Sequence, residues 1–105
     1  MGNNLNFDFK DGTLYVSLIG EIDYHSAAST REAIDEKVLE LCPKNLVLDL
    51  ADAPFMDSSG LGLIMGRYQR MQELGGILTV ANPSAEHQKI FMAAGLNKLV
   101  KIVKK

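Results

Sequence analysis

Two short runs near the start of the chain alternate apolar with polar residues, a period of two that is typical of strands. Their apolar members are Leu5, Phe7, Phe9, Leu14, Val16 and Leu18. Asp11-Gly12 lies between the runs and favours a two-residue hairpin turn, because both turn positions need positive φ. Pairing Lys10 with Thr13 would bring all of these apolar side chains to one face of a β-hairpin.

Beyond the hairpin, apolar residues at helical spacing alternate with short apolar runs. Helices are predicted at about 26–41, with Ser26 as N-cap, at about 58–74, and at 82–94, with Pro83 in the first turn. Strands are predicted at 46–50, buried on both faces, at 77–80 and at 99–103. The order β-β-α-β-α-β-α-β predicts an α/β fold of one domain, residues 1–105, in which three helices cover a mixed, largely parallel sheet with an N-terminal β-hairpin.

Helical spacing also predicts which side chains face the core. In the second helix the inward positions are Leu61, Ile64, Met65, Tyr68 and Met71. Asp35 lies outside the apolar stripe of the first helix, with Arg31, Glu32 and Glu36. His87 is expected on an exposed face of the third helix, and Met56 and Met92 in or near the core.

Composition and charge exclude several classes of function. Eleven basic and 13 acidic side chains among 105 residues give a net charge of −2, which argues against a nucleic-acid-binding face. A single cysteine and two widely separated histidines predict no disulfide, metal site or cofactor. No apolar run reaches the roughly 18 residues that span a bilayer, and the N-terminus lacks a signal pattern, so we expect a cytoplasmic protein without membrane contact.

The segment Asp57-Ser58-Ser59-Gly60, where a loop becomes a helix, is the strongest candidate for chemistry. Backbone N–H groups are unpaired at a helix N-terminus, and the helix dipole favours anions there. The simplest interpretation is that one serine is an N-cap, but two hydroxyls after an acid exceed what a cap needs. Gly60, Gly62 and Gly66 each cost about 1 kcal/mol relative to Ala in a helix, so they serve either close packing on the sheet or the approach of another surface.

This sequence resembles the anti-sigma factor antagonists, a family built on the STAS domain. The resemblance covers nearly the whole chain and is carried by Gly20-Glu21-Ile22-Asp23, by residues 45–50, by FMDSSGLGLIMGRY from Phe55 to Tyr68, and by Gly75-Gly76. The stretch through Gly66-Arg67-Tyr68 is most similar to the members that act in sporulation. Members usually carry a further helix after the last strand, beyond the position of Lys105 here.

The resemblance implies a partner-switching regulator of transcription rather than an enzyme. Family members bind an anti-sigma factor that is also a serine kinase, and thereby free the sigma factor. The kinase phosphorylates the serine that directly follows the Asp, here Ser58, and the phosphorylated form releases it; a PP2C-type phosphatase restores the serine. The implied partner-binding residues are Glu21, Asp23, His25, Met56, Asp57, Ser58, Ser59, Gly60 and Gly62.

Other functional classes agree with the sequence to different degrees. A response-regulator receiver would use Asp49 as phosphoacceptor, but the first strand leads straight into the Asp11-Gly12 turn and carries no acidic pair. A serine hydrolase is disfavoured because the flank of Ser58 is M-D-S-S-G rather than G-x-S-x-G, and no His–Asp spacing supports a triad. A STAS-fold scaffold or sensory module without sigma-factor control stays open, because a fold does not determine its partner.

Overall fold

A computed structural model describes residues 5–53 and 56–104 of the chain, apart from the side chain of Tyr24. The strands are β1 (Leu5–Lys10), β2 (Thr13–Leu18), β3 (Asn45–Asp49), β4 (Ile77–Ala81) and β5 (Lys101–Val103). The helices are α1 (Tyr24–Leu41), α2 (Ser58–Glu73) and α3 (Ala85–Ala94), followed by a short 3-10 helix at Leu96–Lys98. In the described ranges, none of the helices has both the length and the apolar character needed to cross a membrane.

The N-terminal hairpin has the predicted register. Leu5 is opposite Leu18 and Phe9 is opposite Leu14 in the antiparallel pair β1–β2. The turn residues Asp11 and Gly12 have φ of 53° and 81°, the left-handed conformation that a two-residue turn requires. Local turn chemistry and the alternating apolar pattern therefore select one pairing.

The five strands form one sheet in the order β1-β2-β3-β4-β5, and β2 to β5 run parallel. Because strand order follows sequence order, right-handed crossovers place all three helices on the same face. Residues facing them are almost fully buried: Leu14, Val16, Leu46, Leu48, Leu78 and Val80. Val47 of the central strand is buried as well, as predicted. The loops that enter α1, α2 and α3 consequently lie together at the carboxyl edge of the sheet, and the predicted α/β fold is confirmed.

Several element boundaries differ from the prediction, those of α3 and β5 among them. The N-cap of α3 is Ser84, so Pro83 lies before the helix instead of in its first turn. β5 begins at Lys101 because the 3-10 helix occupies the residues after Gly95. Gly95 itself ends α3 in the left-handed conformation, as predicted.

Three side chains of α2 and α3 occupy environments that the pattern predicts wrongly. His87 is buried, with 2% of its surface exposed, because its ring completes the N-terminal cap of α3. Met92 is 65% exposed instead of packing in the core. Arg67 is buried in α2, together with Leu63, whereas the predicted inward residues Leu61, Met65 and Tyr68 are only partly buried.

Arg67 is buried because α1 supplies a charge partner for it. Its Nε lies 3.0 Å from Oδ1 of Asp35, which belongs to the face of α1 predicted to be solvated. The N–H does not point along a hydrogen-bond direction, so this contact is mainly electrostatic. Burial lowers the pKa of Arg67, and the Asp35 carboxylate partly offsets that effect. This ion pair connects α1 to α2 beyond the first turns of both helices.

Candidate functional site at the first turn of α2

A parallel β-bridge joins the loop before α1 to the loop before α2. Ile22 pairs with Met56 in this bridge, and their side chains are 4% and 5% exposed. Because side chains alternate along extended backbone, the neighbours Glu21 and Asp57 are directed away from that buried contact. Glu21 is exposed and Asp57 half-buried. The bridge thus brings the G-E-I-D and D-S-S-G segments together, although 34 residues separate Ile22 from Met56.

Gly20 permits the chain to leave β2 in the direction of this bridge. Its φ is 85°, a conformation that L side chains rarely adopt. Its backbone N–H donates a 2.8 Å hydrogen bond to the carbonyl oxygen of Asp52. Backbone contacts therefore link the two loops independently of their side chains.

Asp57, not a serine, caps α2. Its Oδ1 accepts a 2.8 Å hydrogen bond from the backbone N–H of Ser59. Ser58 and Ser59 are the first two residues of the helix, and neither hydroxyl makes a hydrogen bond within residues 5–53 and 56–104. The interpretation of one serine as the N-cap is consequently wrong, and both hydroxyls are free to act elsewhere. Ser58 is exposed and Ser59 half-buried.

The glycines of α2 differ in the space around them, and therefore in whether packing requires a glycine there. A Cβ on Gly60 would lie 2.2 Å from Cγ of Met56 and 3.3 Å from Cγ2 of Ile22, so Gly60 is needed for the buried contact under the loop. A Cβ on Gly62 or Gly66 would meet nothing within 4 Å. Packing inside the chain therefore explains Gly60, whereas Gly62 and Gly66 have no such explanation within the described residues.

Asp23 and Ser26 cap α1 jointly. Asp23 Oδ1 accepts a 3.0 Å hydrogen bond from the Ser26 N–H, and Ser26 Oγ accepts a 3.2 Å bond from the Asp23 N–H. Asp23 is thus the N-cap in place of the predicted Ser26, which is the third helical residue of a capping box. The Ser26 N–H lowers the pKa of the Asp23 carboxyl most strongly, and the nearby exposed His25 adds to the effect.

Most of the predicted partner-binding residues lie on this one edge of the molecule, in the two linked loops and the first turns of α1 and α2. Met56 is the exception, because its side chain packs beneath the loop and can act only by positioning the backbone above it. Phe55, which belongs to the family-like segment, lies outside the described residues. Arg31 is a neighbour that the sequence reasoning missed, although it follows Ala27 by one helical turn. Over the described ranges, no group of three or more His, Cys, Asp or Glu could hold a metal ion.

Comparison with known families decides the classification. Residues 4–105 match the model of the STAS domain. The chain belongs to the STAS domain family. This agrees with the expected fold and with the segments that carry the resemblance.

Several relatives of this chain are named as anti-sigma factor antagonists. An anti-sigma F factor antagonist of Paenibacillus polymyxa is 33% identical over 102 residues, covering 97% of this chain and 87% of the relative. An anti-sigma-B factor antagonist of Bacillus subtilis is 33% identical over 103 residues, covering 94% and 91%. These two relatives of the STAS protein are thus named as antagonists of anti-sigma factors from different sigma-factor systems.

Solved structures agree with these relatives. The anti-sigma factor antagonist SpoIIAA in its unphosphorylated form superposes with a TM-score of 0.81 at 26% identity, covering 93% of this chain and 86% of SpoIIAA. The Bacillus SpoIIAA in its phosphorylated form has a TM-score of 0.75 at the same identity, covering 93% and 89%. The fold described here is therefore one that a relative adopts with and without a phosphoryl group.

Proposed function

We propose that this STAS protein is an anti-sigma factor antagonist that binds an anti-sigma factor serine kinase and thereby frees a sigma factor. Phosphorylation of Ser58 switches it off, and a PP2C-type phosphatase restores it. The observation that carries the proposal is the Ser58 hydroxyl, which is exposed at the start of α2 while Asp57 performs the capping. The relatives named anti-sigma factor antagonists, and SpoIIAA in two phosphorylation states, support it.

The charges around Ser58 supply a physical mechanism for release. A phosphoryl group adds about −1.5 to −2 charges at neutral pH. The N-terminus of α2 favours that charge by about 0.3–1 kcal/mol, so the protein itself tolerates it. A partner surface shaped for a neutral hydroxyl would meet added bulk and negative charge beside Asp57 and Glu21. Release then follows from steric conflict and repulsion, without refolding of this chain.

Mass spectrometry after kinase treatment tests the site and the functional class together. The chain is incubated with ATP and the anti-sigma F factor of Paenibacillus polymyxa, or with the anti-sigma-B factor of Bacillus subtilis. We expect one phosphoryl group on Ser58, its absence in Ser58→Ala, and normal modification of the matched control Ser59→Ala. Subsequent treatment with a PP2C-type phosphatase should remove it. Tight binding without any modification would favour a STAS-fold scaffold instead.

Binding measurements test the charge mechanism separately. Ser58→Ala should bind the kinase as the unmodified chain does, because it keeps a small neutral side chain. Ser58→Asp should bind at least about tenfold more weakly at low salt, since like charges then face each other across the interface. Equal affinity of the two variants would contradict release by repulsion.

A further inference from the structure

A groove separates the first turns of α1 and α2 beside the proposed phosphorylation site. Its volume is about 370 Å³, and its lining residues are Ala27, Ala28, Arg31, Ser59, Gly62 and Leu63. Four of these six residues are alanine, serine or glycine, so the groove stays open because the side chains are too small to fill it. Ser59, whose hydroxyl has no partner in the described ranges, stands on one wall.

Arg31 on the opposite wall differs from the other two arginines of the chain. Arg67 lies 3.0 Å from Asp35, and Arg70 lies 3.9 Å from Glu73. No carboxylate of the described residues lies within ion-pair distance of Arg31, which is exposed. An arginine fork suits a carboxylate, because its donors can form two parallel hydrogen bonds with it.

The charge of Arg31 reaches the buried ion pair between Arg67 and Asp35. Burial lowers the pKa of Arg67; Asp35 offsets this, and the neighbouring charges of Arg31 and Arg70 lower it further. Nη1 of Arg67 is also buried and has no hydrogen-bond partner among the described residues. Asp35 is thus the ion-pair partner of Arg67, whereas Arg31 has no such partner among the described residues.

We infer that this groove receives an acidic side chain of the anti-sigma factor partner, with Arg31 as its charged contact. Its methylene groups would pack on Ala27, Ala28 and Leu63, and Ser59 could donate a hydrogen bond to the carboxylate. The inference rests on the proposed function and adds to it a recognition contact opposite in sign to the loops that carry Glu21, Asp23 and Asp57. The partner's acid over the groove would lie beside Ser58, where added negative charge repels it, and the contact determines the partner's orientation and selects among anti-sigma factors.

Charge substitutions at Arg31 test the inference. The probes are the purified anti-sigma F factor of Paenibacillus polymyxa and anti-sigma-B factor of Bacillus subtilis, with the unphosphorylated chain. Arg31→Ala should weaken binding by about tenfold and Arg31→Glu by more, because removing one member of a charge pair leaves the other without compensation. Arg70→Glu is the matched control. It makes the same charge change as Arg31→Glu, but in α2 and outside the groove, at the exposed ion pair with Glu73. It should alter the affinity by less than about threefold.

A neutral variant separates the shape of the groove from its charge. Ala28→Leu keeps high helix propensity at an exposed position, so the chain should fold normally, and its side chain would fill the groove. We expect weaker binding by about tenfold from the steric conflict, comparable with the loss in Arg31→Ala. Unaltered urea unfolding of both variants would show that the loss arises at the interface.

The outcomes distinguish this inference from the function on which it rests. If the unmodified chain binds neither factor, the proposed function fails and the groove contact fails with it. If the unmodified chain binds while Arg31→Glu and Ala28→Leu bind equally well, only the groove contact is overturned. An effect of Arg31 confined to the phosphorylated chain would also overturn it, since Arg31 would then contact the phosphoryl group within the same molecule.

Discussion

Helices α2 and α3 begin at the same edge of the sheet, but their N-termini are capped differently. In α3, Ser84 Oγ accepts a 3.0 Å hydrogen bond from the His87 N–H, and His87 Nδ1 accepts a 3.1 Å bond from the Ser84 N–H. In α2, the Asp57 side chain accepts a hydrogen bond from the Ser59 N–H, and the third helical residue is Gly60, which has no side chain to return a bond.

The difference shows where this chain uses side chains for stability and where it leaves them available. His87 is buried and stacks on Phe91, with ring centroids 6.3 Å apart, so its side chain serves the packing and capping of α3. The first turn of α2 presents an exposed hydroxyl and an open groove instead. Among the described residues, the start of α2 thus offers two hydroxyls without hydrogen-bond partners, which a second protein can use.

Removing His87 should give the largest effect on folding. His87→Ala loses half of the capping box and most of a buried ring, for an expected loss of about 2–4 kcal/mol in the free energy of unfolding. Ser58→Ala, in the corresponding region of α2, should change it by less than about 0.5 kcal/mol. Urea unfolding of the two variants checks this, and similar losses would contradict the comparison.

Gly60→Ala should destabilise the chain by about 1–2 kcal/mol, because the added methyl group overlaps Met56. Met56→Ala removes the overlapping atoms, so the double variant should lose less than the sum of the single losses. Thermal or urea unfolding of all three variants gives this coupling. Strict additivity would show that the Met56 contact is not the reason for Gly60.

Asp57→Ala should cost about 1 kcal/mol, the usual contribution of an N-cap. Asp57→Asn retains an acceptor oxygen and should recover most of that loss. Urea unfolding measures both. A full loss in the Asn variant would mean that the negative charge at the start of α2, rather than the hydrogen bond to Ser59, provides the stabilisation.

Gly62→Ala should increase the free energy of unfolding but decrease the affinity for the anti-sigma factor. The structure has open space at this position, so alanine should stabilise α2 by about 0.5–1 kcal/mol. Affinity for the anti-sigma factor should fall if the partner approaches the helix backbone there. Gly66→Ala is the control, with the same open space one turn farther from Ser58. A stabilised Gly62→Ala variant with unchanged affinity would remove Gly62 from the partner surface.

The smallest effect concerns the third helix start, that of α1. The pKa of Asp23 lies below its ordinary value of 3.8, so its stabilising effect is full above that value and is lost as the pH falls through the lowered pKa. Asp23→Asn keeps a capping oxygen but cannot titrate. We therefore expect unfolding of this variant to depend less on pH in the acidic range, measured as urea midpoints at several pH values.

Part of the site could be predicted from sequence because its determinants are local. The register of the hairpin follows from Asp11-Gly12 and a period of two, and the start of α2 follows from Asp57 and the serines after it. The cap itself was assigned to the wrong residue in α1, because Asp23 and Ser26 are both good capping residues three positions apart. Local sequence could not decide which of the two accepts the helical N–H.

The order of elements, the hairpin register and the place of Ser58 at the start of a helix follow from neighbouring residues, since each depends on short-range hydrogen bonds and local pattern. That Ile22 lies against Met56, that Asp35 faces Arg67, and that Arg31 shares a groove with Ser59 depends on the packed fold. These contacts join separate helices and loops, and their geometry depends on how the parallel crossovers place α1 beside α2. Residue periodicity along either helix carries no information about that distance.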